Sequence, residues 1–437
     1  MNISIITVFS DIYTSFLQTS LIKKASEKGL VHFDVTSYFS FVGPKERIDA
    51  PTFGHGAGML IKPEVVQKAI ESQEHTKGKA FKVFFSPQGK KLDQRYLQEL
   101  AHKIKEHDHL MLVCARYEGM DARVEQVYAD EIVSVGDFVV MGADVPAMLF
   151  LEGLLRYIPG VVGKQESIIH DSFSGPFVDH PEYTEPVTWQ GIEVPEVIRS
   201  GNHGAIQKWQ DGQAAQKTVV EHFDWFRSST MTEDQKKLGA SYIPPHYVAL
   251  MHTDVVIKDH GKEIKEGTTS VTSIDIHDIA RSARTYGLER YFIVTELVDQ
   301  QKVVQKLLDF WKTGAGPEYN PERFEAVRSA YLTSSLEEVK QQIKELEGKD
   351  PLVIATSARD VRHPHKITYH DQAKVWALDR PVLLILGTGR GLTDRLVQSC
   401  DFILEPVEGF SDFNHLSVRS AAAVIFDRWL GWNRRVQ

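Results

Sequence analysis

At 437 residues, with 42 % hydrophobic and 25 % charged residues, the chain is long enough for two or three domains and has the composition of a soluble globular protein. No apolar run approaches a membrane span, and MNISIITVFSDIY has no basic region ahead of its apolar residues, so neither a membrane partner nor a signal peptide is expected. A net charge of −9 argues against a non-specific nucleic-acid coat, while leaving room for a local basic groove; DNA is not expected as a partner.

The two cysteines, Cys114 and Cys400, stand beside apolar residues, which fits a reducing cytoplasm without disulfides; the metal-site spacings of Cys and His are absent. Residues 1–162 alternate apolar strands with helix-length segments. ISIITVF, FDVTSYF, FKVFFS, LMLVCA and EIVSVG read as strands, with helices near 13–29, 62–73, 93–107 and 145–157. The alternation predicts an α/β unit, a parallel sheet covered on both faces. Residues 163–175, GKQESIIHDSFSG, lose the periodicity and read as a mobile connector. Residues 176–243 form a small helical segment closed by Pro244-Pro245, and from 246 to 437 the α/β alternation returns with RYFIVTEL, PLVIATSA, PVLLILG and DFILEP as strands. The two α/β blocks carry matching parts in matching order, which points to internal duplication.

In the first block three strand-end loops, at 86–89, 115–119 and 135–143, are expected to converge on one sheet edge, where open α/β sheets bind ligands. Pro87 fixes its own backbone and Gly89 frees the turn that follows. No GxxxxGK[ST] loop is present, so a nucleoside triphosphate is not favoured.

SPQGKKLDQ, ARYEGMDARV, SVGDFVVMGADVPAM, RYIPGVVG, DSF, HPEYTEP, VPEVIRSGNH and IQKWQ occur in one order over residues 1 to about 240, and together they closely resemble the bacterial tRNA (guanine-N1)-methyltransferases of the TrmD type. That resemblance implies a trefoil-knotted SPOUT fold, S-adenosylmethionine bound in the knot, a homodimer, and methylation of N1 of guanosine 37 in tRNA. It implies cofactor loops built from Ser86 and Pro87, from Ala115 and Tyr117, from Val135, Gly136, Asp137, Phe138, Val139 and Val140, and from Gly142, Ala143 and Pro146. Guanine N1 carries a proton at neutral pH, so its methylation needs a general base and a cation for charge developing on O6. The resemblance assigns these roles to Asp171 and Arg156, and has Glu118 help hold the guanine or Mg²⁺. Bare sequence would read Asp171 as a helix cap and Arg156 as an ordinary last-turn cation. The chain departs from the family at His55, Ala115 and Ala143, where glycine is usual, and at Glu185 and Gln210, where arginine is usual.

In the second block Gly387-Thr388-Gly389-Arg390-Gly391-Leu392 imitates a dinucleotide fingerprint, but GxGxxG would need glycine at 392. GTGRGL, LEPVEG and NHLSVRSAAAVI instead resemble a second SPOUT domain, an RNA methyltransferase-like module, over 246–437. The architecture so implied is two knotted α/β domains separated by a small all-helical, tRNA-binding one, with two S-adenosylmethionine sites per chain. Leu386, Gly387, Thr388 and Gly389, then Leu404, Glu405 and Pro406, then Leu416, Ser417 and Val418 would supply the second cofactor site. Arg281 or Arg284, with Asn414 and Ser417, fit the pattern of ribose 2′-O-methyltransferases. No connector carboxylate like Asp171 occurs in this block, which favours a ribose target over a base. Two other readings stand open: an inactive knot used for dimerisation or tRNA grip, and a Rossmann-like dinucleotide site.

Overall fold

A computed structural model of the chain describes residues 1–54, 56–163, 171–258 and 264–433. His55 and residues 164–170 of the expected connector lie outside the described residues. Contacts divide the chain into two units, Met1–Ser174 and Gly175–Gln437.

The first unit runs β1 (Asn2–Thr7), α1 (Ile12–Leu17), α2 (Ser20–Glu27), β2 (His32–Ser37), β3 (Asp49–Pro51), β4 (Met59–Ile61), α3 (Pro63–Lys77), β5 (Phe81–Lys91), α4 (Gln94–Lys105), β6 (His109–Val113), α5 (Ala122–Tyr128), β7 (Glu131–Ser134) and α6 (Asp144–Leu155). Its main sheet has the order β2-β1-β6-β5-β7, every pair parallel. Helices cover both faces, which is why β6, HLMLV, is buried throughout instead of alternating. Ile3, Ile5, Leu110 and Leu112 join Leu100, Phe150 and Leu154 on one face. Ile6, Met111 and Val113 join Val66, Ile70 and Val124 on the other.

Two expectations change here. The helix expected over 13–29 breaks between α1 and α2, where Thr19 is extended (φ −73°, ψ 141°). The strand FKVFFS does not end at Ser86. β5 continues to Lys91, and Phe85 and Lys90 both register against Val133, so residues 86–89 are looped out of a continuing strand. Gly89 is required there by space: a Cβ would stand 2.5 Å from the Ile132 carbonyl oxygen.

The second unit begins with β8 (Thr188–Trp189), β9 (Ile192–Glu193), α7 (Glu196–Arg199), α8 (His203–Glu221), α9 (Phe223–Ser228) and α10 (Glu233–Ala240). Thr232 and Gln235 close a reciprocal capping box at the start of α10. There follow β10 (His246–Met251), β11 (Val255–Lys258), β12 (Ile264–Gly267), α11 (Ser273–Thr285), β13 (Arg290–Val294), α12 (Val298–Lys312), α13 (Gly316–Tyr319), α14 (Pro321–Val327), β14 (Ala330–Thr333) and α15 (Leu336–Glu347). The chain closes with β15 (Leu352–Ala355), β16 (Lys366–Ile367), α16 (Gln372–Trp376), β17 (Val382–Gly387), α17 (Asp394–Gln398), β18 (Phe402–Leu404) and α18 (Val418–Leu430).

The parallel sheet here has the order β14-β13-β10-β17-β15-β18-β16. Its inner five strands, β13-β10-β17-β15-β18, repeat the order of the first unit's sheet when both are numbered along the chain. The helical segment does not stand apart. Val219, Phe223 and Phe226 share one buried cluster with Val248, Leu250, Trp376 and Trp429. Phe223 meets Trp376 edge to face at 4.8 Å, Trp432 Nε1 donates to the Ser229 carbonyl at 3.1 Å, and Arg227 Nη1 donates to the Arg428 carbonyl at 2.5 Å.

Candidate active site

The looped-out residues 86–89 and the loops at 115–119 and 135–143 are tied to one another. Leu92 N–H donates to Ser134 O at 2.7 Å and Lys91 Nζ reaches Asp137 Oδ2 at 2.5 Å, joining the looped-out 86–89 to the turn after β7. Ala143 N–H donates to Ala115 O at 2.9 Å, and Arg116 bridges Gly142, joining that turn to the loop after β6. Gly136 (φ 156°) leaves no room for a side chain, since a Cβ would lie 2.5 Å from the Phe138 ring, and at Gly142 a Cβ would lie 2.4 Å from Arg116 Cδ. Tyr117 is left-handed at φ 59°. Ala143 takes an ordinary φ of −81°, so the family's glycine is not needed for conformation there. Pro146 is buried on α6, whereas Val139 and Met141 are 85 % and 89 % exposed.

Beneath these loops lies a residue that sequence reading missed. Asp144 is fully buried and accepts from Thr7 Oγ1 (2.5 Å), Tyr13 OH (3.1 Å) and Arg116 Nε (2.7 Å). Its partners come from three separate elements up to 137 residues away, a pattern no local motif carries. Burial pushes the Tyr13 hydroxyl and the Cys114 thiol far above their usual ranges, so both stay protonated.

Arg156 caps the far end of α6 and forms an ion pair with Asp171. The 12 residues of α6 place that pair about 18 Å along the helix from the loop at its start. Glu118 lies against Gly58, where a Cβ would be 2.3 Å from Glu118 Cγ. Among the described residues no group of three or more His, Cys, Asp or Glu is disposed to hold a metal. An Mg²⁺ at Glu118 would draw most of its ligands from water or substrate, a habit of that ion.

The second unit holds a cavity of about 1050 Å³ at the ends of β15, β17 and β18. Leu386, Gly387, Thr388, Gly389, Glu405, Asn414, Leu416, Ser417 and Val418 all line it. A Cβ at Gly387 would stand 2.5 Å from Leu392 N, so glycine is required where the chain doubles back. Leu392, where a dinucleotide fingerprint needs glycine, is buried. Thr388 Oγ1 is fixed by Met251 O (2.9 Å) and Thr269 Oγ1 (2.5 Å), Glu405 accepts from Tyr369 N–H (3.0 Å), and Asn414 Nδ2 donates to Ala358 O (2.8 Å). Ser417 is the N-cap of α18, accepting from Ser420 N–H at 3.3 Å.

Several expected residues fall elsewhere. Leu404 is buried in β18, and the extended chain turns Glu405 and Val407 inward, so Leu404 and Pro406 do not line the cavity. Arg281 and Arg284 are exposed and outside it; Arg284 pairs with Glu325 on α14 at 3.6 Å. The guanidinium groups that do line the cavity belong to Arg359, Arg390 and Arg419, and Asp275 adds a carboxylate. The signal for these was close to residues already singled out: Arg419 directly follows NHLSV, and Asp275 precedes Arg281 on the same helix.

Residues 1–228 match the family described as tRNA (Guanine-1)-methyltransferase TrmD, and residues 245–431 match SAM-dependent RNA methyltransferase. The chain is 36 % identical over 447 residues to a tRNA (guanine-N(1)-)-methyltransferase of Oleidesulfovibrio alaskensis, covering 99 % of each chain. It is also 36 % identical over 437 residues to the protein of that name from Nitratidesulfovibrio vulgaris, again covering 99 % of each. A shorter protein of that name from Bacillus velezensis is 36 % identical over 239 residues, 54 % of this chain and 97 % of its own.

Proposed function

The chain belongs to the tRNA (guanine-1)-methyltransferase family, and from that membership we propose that its first unit methylates N1 of guanosine 37 in tRNA, with Asp171 as general base. S-adenosylmethionine supplies a methyl group on a sulfonium, which leaves as a neutral thioether. The Asp171 carboxylate takes the N1 proton, so that the nitrogen lone pair forms the new bond to the methyl carbon. Arg156, already paired with Asp171, offers its guanidinium to the charge that gathers on O6. The backbones of 86–89, 115–117 and 135–143 hold the methyl donor, and Asp144 keeps Arg116 and the second loop in place.

The observation that carries this reading is the Asp171–Arg156 pair, the base and cation the chemistry requires, held together. In each unit the three loops are read as a trefoil knot. The distance of about 18 Å along α6 also favours a homodimer, since a second copy can lay its pair beside these loops. Val145 and Leu149, 59 % and 54 % exposed on α6, give that contact its apolar stripe. No helix among the described residues is long and apolar enough to cross a membrane, and we place the enzyme in the cytoplasm.

The second unit is read as a second S-adenosylmethionine-dependent transferase acting on a tRNA ribose 2′-hydroxyl, with Asn414 and Ser417 in the cavity toward the sugar. Glu118 is read as a guanine or Mg²⁺ contact. The direct test is Asp171→Asn: N1-methylguanosine formation should fall by at least 100-fold while calorimetric binding of S-adenosylmethionine stays within twofold. Turnover near that of the unaltered enzyme would reject Asp171 as the base.

A further inference from the structure

The second cavity carries a charge arrangement that the reading above leaves unused. Asp275, in the first turn of α11, is 8 % exposed and lines the cavity. Its Oδ2 accepts from Thr272 Oγ1 at 2.5 Å, and its Oδ1 lies 3.5 Å from Arg419 Nη1. Arg419 Nε in turn lies 3.5 Å from Asp278 Oδ2, so one guanidinium is braced between two carboxylates a helical turn apart. Arg419 is the second residue of α18 and also lines the cavity, directly after the loop residues Leu416, Ser417 and Val418.

Capping of α11 is already provided by Thr272, whose hydroxyl accepts from Asp275 N–H at 3.4 Å. The carboxylate itself is therefore not needed to start the helix. A nearly buried acid on a cavity wall is costly to desolvate, and here it is held beside a guanidinium that lines the same cavity. Among the described residues one further acid, Glu405, lines this cavity; its Oε1 accepts from the Tyr369 N–H at 3.0 Å.

We propose that Asp275 is the general base of the second site and that Arg419 stabilises the oxygen from which it removes the proton. This rests on reading the cavity as an S-adenosylmethionine-dependent transfer site. The acceptor's proton passes to Asp275 and then to solvent. The freed electron pair forms the bond to the methyl carbon, and the carbon–sulfur pair returns to sulfur. Arg419 faces the developing negative charge, positioned by Asp275 and Asp278. The second unit thus uses the same chemical couple as the first, a carboxylate beside a guanidinium, drawn from different elements of the fold.

The experiment uses the full chain carrying Asp171→Asn, which silences the first site, with methyl-labelled S-adenosylmethionine and total RNA from a host deleted for the gene. Labelled nucleosides are identified after digestion. Adding Asp275→Asn should cut labelling at least 100-fold, with the second site's affinity for S-adenosylmethionine within twofold and the protein still folded at the assay temperature. Asp275→Glu should recover part of the rate, and Arg419→Lys should retain more of it than Arg419→Ala. Label in a 2′-O-methylnucleoside that survives Asp275→Asn overturns the base assignment and leaves the ribose reading standing. Label in a methylated base that disappears with Asp275→Asn does the reverse. A loss of S-adenosylmethionine affinity beyond tenfold in Asp275→Asn makes the acid a cofactor ligand and overturns the proposal. So does an absence of label in any RNA, which removes the transfer reading with it.

Discussion

Asp144 illustrates how much of the first unit's loop cluster depends on one buried side chain. Its carboxylate is fully buried and satisfied by Thr7, Tyr13 and Arg116, so removing it strands a half-buried guanidinium and two hydroxyls at once. Breaking such a pair from one side costs about 3 kcal/mol or more. Asp144→Ala should therefore lower the urea midpoint of the first unit and loosen the loop that carries Arg116 and Tyr117. An unchanged midpoint would show that the network is not what holds that loop.

His246 makes a different claim, about pH. Its Nδ1 donates to Pro244 O at 2.6 Å and its Nε2 accepts from Trp429 Nε1 at 3.0 Å, an arrangement open only to the neutral ring. Burial lowers its pKa from the ordinary 6.5 to about 4, and His252 is lowered to about 4 in the same way. Between those values the unfolded chain holds more protons than the folded one. Stability is then full above about pH 6.5 and falls as pH drops toward 4, by up to about 3 kcal/mol for each residue. Urea midpoints of the second unit measured from pH 7.5 to 4.5 should show the decline, and His246→Gln should flatten it; equal slopes would refute the assignment. At this scale legibility was uneven. Asp171 and Arg156 stood in a recognisable run of motifs, while Asp275 and Arg419 lie 144 residues apart and become neighbours only through the sheet.

Among the elements, long periodic segments were readable and short or interrupted ones were not. α3, α4 and α6 fall within two or three residues of where their periodicity put them, up to four at the end of α3. β14, only AYLT at a sheet edge and half-buried, follows a helix with no turn signal, and sequence reading passed over it. β16 has two residues, too few for any pattern. β5 was cut short because Pro87-Gln88-Gly89 reads as a terminator, yet Lys90 resumes pairing with Val133 after the excursion. The glycines that allow such excursions give a sharp test. Gly387→Ala would set a Cβ 2.5 Å from the backbone nitrogen of Leu392, which cannot yield as a flexible side chain would. On the two-site reading proposed above, calorimetry should then count one S-adenosylmethionine per chain in the variant against two in the unaltered protein, with N1 methylation intact. Two sites in this variant would show that the turn at 387 does not shape the second one.

For the molecule as a whole, the telling fact is where the helical segment spends its apolar side chains. Val219, Phe223 and Phe226 are buried with Trp376 and Trp429, both beyond residue 246. Cutting the chain after Pro245 would uncover them, at about 1.5–3 kcal/mol for each large side chain. Limited proteolysis of the fragment 1–245 should find residues 196–240 readily cleaved, where the full chain resists. Protection equal to that of the full chain would mean the segment holds its own core.

That shared core gives the fusion a direction in time. Relatives such as the Bacillus velezensis protein align along nearly their whole length with only 54 % of this chain, so a shorter form is viable in its own lineage. Here the seam has been overgrown. With Phe223 against Trp376 and Trp432 donating to Ser229, loss of the second gene half would strip these contacts from the helical segment. Selection can then retain the appended domain even through periods when its own chemistry is dispensable, because the part of the enzyme that precedes it has come to need it as a wall.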